Sequence, residues 1–150
     1  MTELSTQQIG RCGELLVQYW LLKHGVESAA LTTDTGIDLV APKGKQVVTI
    51  QVKTSSQGGP AGDKWLLWEI PEDCPADYIA AVDLKRNKFW LMPTDEFKQI
   101  SPRGGKGQKR LWWPLPEYEY KRAKRKEGQF KDYEMDVAIP KVFGLDSPAR

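Results

Sequence analysis

The 150-residue chain has one histidine, His24. A Ser-His-Asp triad or a histidine-rich zinc site is therefore a poor fit to it. Its two cysteines, Cys12 and Cys74, lie far apart and form no metal-type pair. They read as free thiols in a reducing cytosol. No apolar run approaches the roughly 20 residues a membrane helix needs. The opening stretch MTELSTQQ has neither a basic start nor an apolar centre, so it does not read as a secretory signal. There is also no internal repeat and no excess of charge. A composition 40% hydrophobic and 28% charged is that of an ordinary globular chain. This length fits one domain with a hydrophobic core.

The elements can be placed by pattern. Ser5 and Gln8 form a capping-box signature, and Ile9, Cys12, Gly13, Leu16 and Trp20 share one helical stripe that Gly25 ends. Leu15, Val17, Leu21 and Leu22 widen that stripe, so the helix is expected to be buried over much of its surface. Glu14 lies at the edge of the stripe. VESAALTTD suggests a short edge strand, and residues 36–41 suggest the next. PKGK is a turn, and residues 46–54, rich in Val, Ile and Thr, form the clearest strand. SSQGGPAGD reads as a flexible loop and KWLLWEI as a strand. Residues 76–93 read as a hairpin turning near Lys85–Asn87. Thr94 is expected to cap a short helix, and YEMDVAIPKVFG to be a last strand or helix that packs back. The fold expected is an α/β or α+β core spanning about residues 5–100, with residues 101–150 as an extension of the same domain.

Three residues interrupt this pattern. Asp38 sits in the first strand of the hairpin, and Gln51 and Lys53 share one face of the second. A four-residue turn, Lys43 to Gln46, sets Asp38 opposite Gln51. A three-residue turn sets it opposite Ile50. The simplest use of an acid, an amide oxygen and an ammonium on one face is to hold Mg²⁺, with Mn²⁺ able to substitute. Mg²⁺ takes hard oxygen ligands and few carboxylates. Asp38 would give a carboxylate, Gln51 its amide oxygen and Val52 its backbone carbonyl. Lys53 would orient a water and offset phosphate charge. Glu14 could restore the negative charge that Gln51 does not carry. The plainer alternative is a half-exposed hairpin with solvent-facing polar residues.

Glu14, GID at 36–38 and QVK at 51–53 resemble the PD-(D/E)xK nuclease superfamily of restriction-endonuclease fold. The order of helix acid, strand acid and xK strand is similar to the archaeal Holliday-junction resolvase branch. The Gln in place of an acid is similar to methylation-dependent restriction nucleases. Over its whole length the chain also resembles the bacterial group I intron-encoded homing endonucleases of that fold. The resemblance implies a central mixed β-sheet flanked by helices. It also implies metal-dependent, site-specific cutting of double-stranded DNA, in the bacterial cytoplasm at the nucleoid. A junction resolvase, a restriction-type nuclease or an inactive DNA-binding module are the alternatives.

From Ser101 to Lys131 there are ten Lys/Arg and three Asp/Glu, on a body that is otherwise mildly acidic. Such a segment suits a polyanion or a solvated surface. RGGKGQKR reads as a flexible loop able to enter a groove through Arg103, Lys106, Gln108, Lys109 and Arg110. Lys121, Arg122, Lys124 and Arg125 suit phosphate contacts. Trp112 and Trp113 read as core or as an oligomer contact. Cutting both strands from one site per chain favours a homo-oligomer, a dimer or tetramer.

Overall fold

The computed structural model describes residues 3–33, 35–55, 64–102 and 104–145. Helix α1, Thr6–Lys23, opens on the expected capping box. The Gln8 N–H donates to Ser5 Oγ (3.2 Å) and the Ser5 N–H to Gln8 Oε1 (2.8 Å). Gly25, at φ +78°, follows the helix in the left-handed region. Only one face of α1 is covered: Gly13, Val17 and Leu21 are buried, while Leu15 (49%), Tyr19 (55%) and Leu22 (62%) are exposed. The wide apolar surface expected for α1 is thus split. One side rests on the sheet, and the other faces outward.

The central sheet has five strands: β1 (Ala29–Ala30), β2 (Leu39–Lys43), β3 (Gln46–Ser55), β5 (Tyr78–Asp83) and β6 (Lys88–Pro93). They run in the order β1-β2-β3-β5-β6. β3 and β5 are parallel and the other neighbours antiparallel, so the sheet is mixed. β4 (Trp65–Pro71) leaves this sheet and pairs with β7 (Gln108–Pro114) as a separate antiparallel ribbon. Gln108 to Arg110 therefore lie in a strand rather than in a flexible loop. The turn before them is tied down: the Gly104 N–H donates to Gln108 O, and the Glu72 N–H to Gly107 O.

Strand alternation sorts the core into two layers. Ile50, Val52, Ala80, Val82 and Leu91 face α1 and helix α3, Met135–Phe143, which is the expected element that packs back. Ile79, Ala81, Trp90 and Met92 face the ribbon, where Leu66, Trp68, Leu111 and Trp113 meet them. Trp68, Trp90 and Trp113 are almost fully buried. The residues beyond Ser101 thus contribute to both layers. Helix α2, Thr94–Ile100, starts from Pro93, not from a Thr94 cap: the Thr94 side chain is buried and makes no capping bond. Lining the first turn are Asp95 and Glu96, which suit a helix N-terminus.

Candidate metal and nucleic-acid site

Hairpin β2–β3 has the register of the four-residue turn. Leu39 pairs with Ile50 and Lys43 with Gln46. β2 begins at Leu39, and just before it the ladder is interrupted: the Asp38 N–H also donates to Ile50 O (2.9 Å). The Asp38 side chain then takes over the ladder. Its Oδ2 accepts from the Val52 N–H (2.8 Å) and from Gln51 Nε2 (2.7 Å). A carboxylate thus stands where the next β2 residue would pair. Because N–H and C=O of one strand residue point the same way, the Val52 carbonyl faces the edge that β2 vacates.

Gln51 is buried, Asp38 and Lys53 partly so. Gln51 and Lys53 are in register with Ile79 and Ala81 of β5, so both side chains lie on the ribbon face of the sheet. Gly36 fixes the approach to this cluster. Its φ is +78°, and a Cβ there would come within 2.9 Å of Pro75 and 3.9 Å of Gln51 Oε1. The glycine before Asp38 is required both by its backbone and by its surroundings.

Glu14 arrives from the other side. The α1 backbone at Gly13 packs on Thr54, whose Oγ1 would lie 1.8 Å from an added Cβ. This sets Glu14 one residue from a contact beside Lys53, but on the helix face of the sheet. Its carboxylate accepts from Arg11 Nη1 (3.0 Å). Asp38, Gln51 and Val52 are therefore brought together by direct bonds, and Glu14 is paired instead with Arg11. Asp34 and Arg103 lie outside the described residues.

The oxygen donors suit a hard divalent ion. Asp38 supplies carboxylate, and Gln51 and Val52 supply neutral oxygens. The described residues contain no group of three or more His, Cys, Asp or Glu. An ion held at Asp38 would need most of its ligands from water and phosphate. For Gln51 to give its oxygen, its amide must be read with Oε1 on the Gly36 side, while Nε2 holds Asp38.

The basic residues fall into two groups. Arg110 pairs across the ribbon with Glu69 (Nε to Oε2, 2.8 Å). Arg125 is folded inward: its Nε donates to Trp112 O (3.0 Å), and its guanidinium lies 5.0 Å over the Trp112 ring. These two have partners within the chain, Arg110 in an exposed pair and Arg125 half-buried. Lys106, Lys121, Arg122 and Lys124 are exposed, and Gln108 and Lys109 half-exposed. The pairing of Arg110 with Glu69 could not be read from the sequence, because the two residues lie 41 positions apart.

No protein-family model matches the sequence, and no curated protein matches it significantly. Among solved structures, the chain superimposes on a bacterial homing endonuclease, I-Ssp6803I, with a TM-score of 0.68 at 18% identity. The match covers 95% of this chain and 94% of that one. The chain has the restriction-endonuclease-like fold. A second similar structure is Hjc, a Holliday junction resolvase of Archaeoglobus fulgidus. It matches at a TM-score of 0.49 and 19% identity, over 68% of this chain and 82% of that one. No helix among the described residues is long and apolar enough to cross a membrane.

Proposed function

We propose that the chain is a divalent-metal-dependent DNA endonuclease that cuts both strands at a specific site, as a homing enzyme does. The observation that carries this reading is the replacement of a β2 ladder position by the Asp38 carboxylate, bonded to Gln51 and Val52 beside Lys53. A hairpin needs no acid there, and closing the ladder with an apolar residue would be less costly than burying the Gln51 amide. The fold shared with a bacterial homing endonuclease over nearly the whole chain supports the same reading.

In this reading Asp38, Gln51 and the Val52 carbonyl hold Mg²⁺, for which Mn²⁺ can stand in, and Glu14 joins them once it leaves Arg11. That exchange is inexpensive, because an exposed ion pair contributes only about 0.2–1 kcal/mol. The bound ion would polarise the scissile phosphate and acidify a water. Lys53 donates to the phosphate oxygen on which charge builds, and it holds the attacking water in line. Lys106, Lys109, Lys121, Arg122 and Lys124 neutralise DNA phosphates, and Gln108 contacts a base edge. Arg110 and Arg125 keep their folding roles. A homo-oligomer, dimer or tetramer, supplies the two sites that a double-strand cut requires.

The test is cleavage of duplex DNA flanking the locus that carries the gene, with and without Mg²⁺. Wild type should linearise this DNA, while Asp38→Ala and Lys53→Ala bind it without cutting. A wild-type rate in either variant would falsify the site. Strong preference for four-way junctions would redirect the activity to a resolvase. Tight binding with no cleavage in Mg²⁺ or Mn²⁺ would leave a DNA-binding module.

A further inference from the structure

The segment after β7 carries Tyr120, Lys121, Arg122, Lys124, Arg125 and Lys126 in a run without an acid, flanked by Glu117, Glu119 and Glu127. It has little regular structure, yet it is held against the ribbon. Arg125 donates from Nε to Trp112 O (3.0 Å) and from Nη1 to Ile100 O (3.4 Å), and the Ala123 N–H closes a turn on Tyr120 O (3.0 Å). Between this segment and β7 lies a cleft of about 430 Å³. That is within the roughly 300–1,000 Å³ range of small-molecule sites.

The walls of the cleft are of two kinds. Trp112, Tyr120, Pro102 and Pro114 give it flat apolar surfaces. Arg122, Lys124 and Arg125 give it cations, and among the described residues no acid lines it. Trp112 is already engaged, with Arg125 over its ring and the Trp65 ring set against it at 4.9 Å. Tyr120 is different. It is half-exposed (52%), and among the described residues its ring has no aromatic or cation–π partner. Its neighbour Tyr118, by contrast, lies under Lys64 Nζ at 5.6 Å. An aromatic face beside cations is how proteins hold single-stranded nucleic acid: bases stack on the ring, and phosphates meet the cations.

We propose that this cleft takes one unstacked nucleotide of a DNA strand, with its base against Tyr120 and its phosphate on Arg122 and Lys124. The proposal deepens the endonuclease reading and rests on it for the source of the strand. Strand opening near the cut would supply such a nucleotide, because taking a base out of its stack is repaid by stacking on the protein. Arg125 takes no part in the contact. It holds the segment at the distance from β7 that leaves the cleft open.

The experiment uses the whole chain in a buffer free of divalent ions, so that no cleavage occurs. The probe is a short single-stranded oligonucleotide containing 2-aminopurine, followed by fluorescence and by anisotropy. Binding should quench the probe. Tyr120→Phe should retain both signals, and Tyr120→Ala should weaken binding about tenfold and remove the quenching. Arg122→Ala with Lys124→Ala should weaken binding and lower the salt slope by about 0.7, the value for one phosphate on a single strand. An abasic strand of the same length should compete poorly. Equal competition by the abasic strand would mean that only phosphate is held, and it overturns the proposal, as does an unchanged affinity and quenching in Tyr120→Ala. Loss of Mg²⁺-dependent cleavage in the wild type would instead sink the endonuclease reading, and this readout would be unaffected by it.

Discussion

Two polar clusters interrupt the same apolar sheet, one at Asp38 and one at Asp83. At the end of β5, Asp83 is fully buried and accepts from Arg86. Arg86 also donates to Glu127, which accepts from Lys88 Nζ (3.4 Å) and from Trp113 Nε1 (3.4 Å). Two carboxylates face two cations and an indole. The cluster closes on itself and ties the hairpin β5–β6 to the basic C-terminal part. Burial raises the Glu127 carboxyl, but the bonds and charge of Arg86 and Lys88 outweigh it and leave the group below its usual range. The Asp38 cluster is built otherwise. Its acid accepts from a neutral amide and a backbone N–H, and it stands where a strand stops. The Asp83 cluster ties elements of the fold together. In the proposed function the Asp38 cluster would also offer oxygen atoms at a vacated strand edge.

The sharpest way to break this comparison is to exchange the outcomes. Asp38→Ala should reduce Mg²⁺-dependent cleavage by at least about 10³-fold, roughly 4 kcal/mol in the barrier, with a fall in melting temperature smaller than that effect and traceable to the two donors it orphans. Arg86→Ala should do the reverse. It leaves Asp83 and Glu127 buried without their guanidinium, a loss of about 3 kcal/mol or more. For a chain of this length that lowers the melting temperature by about 10 °C. Its cleavage rate, measured well below the transition, should stay near wild type. If Arg86→Ala abolished cleavage while folded, the division into structural and functional clusters would fail.

A smaller effect is expected where the helix meets the sheet. Gly13→Ala puts a methyl group 1.8 Å from Thr54 Oγ1, so either the side chain or α1 must shift. Overpacking of this kind costs about 1–3 kcal/mol. Because Thr54 follows Lys53, cleavage should fall along with stability, unlike in Arg86→Ala. Thermal melting and rate measured on one preparation decide between the two patterns.

Acid should separate the clusters more gently. The folded carboxyl of Glu127 lies below its unfolded value of 4.5. Its contribution to stability is therefore fully present above about pH 4.5, and it is lost as the pH falls through the lower folded value. Melting temperature followed from pH 6 downward should drop in that window for wild type and less for Glu127→Gln. Tyr133 behaves oppositely. Its hydroxyl donates to Glu96, whose carboxylate pushes it up to about 12, so it does not titrate in this range.

What the sequence disclosed follows from which interactions are local. The capping box at Ser5, the turn at 43–46 and the alternation around Gln51 and Lys53 are set by residues near one another, and all three were legible. The turn length set the register as far as Leu39, but the link of Asp38 to Gln51 is a side-chain bond at an interrupted ladder. The pairing of β4 with β7 was not legible, because its partners lie about 40 positions apart and each strand alone would also fit the main sheet. The same distance hid the tie of Glu69 to Arg110 and of Glu127 to Arg86, so Arg110 and the buried acid gave no local sign of being paired. The outward stripe on α1 was misjudged for a related reason. Periodicity shows that residues are apolar, but not how much of the neighbouring surface reaches them.

The smallest predicted effect concerns Glu14, the one proposed ligand that is paired away from the others. Arg11→Ala removes an exposed pair and should shift the melting temperature by no more than about 2–4 °C. If Glu14 then turns toward the ion at Asp38, the affinity for Mg²⁺ should rise, because the acid no longer has to leave a partner. The gain is bounded by the strength of the pair, so it is at most about fivefold. Glu14→Gln should move the affinity the other way. Titration of the melting temperature with Mg²⁺ reads both changes by linkage. Opposite shifts would make Glu14 a ligand that Arg11 holds in reserve. If neither variant moves the midpoint, Glu14 belongs to the surface of α1, and the open cluster consists of Asp38, Gln51, Val52 and Lys53.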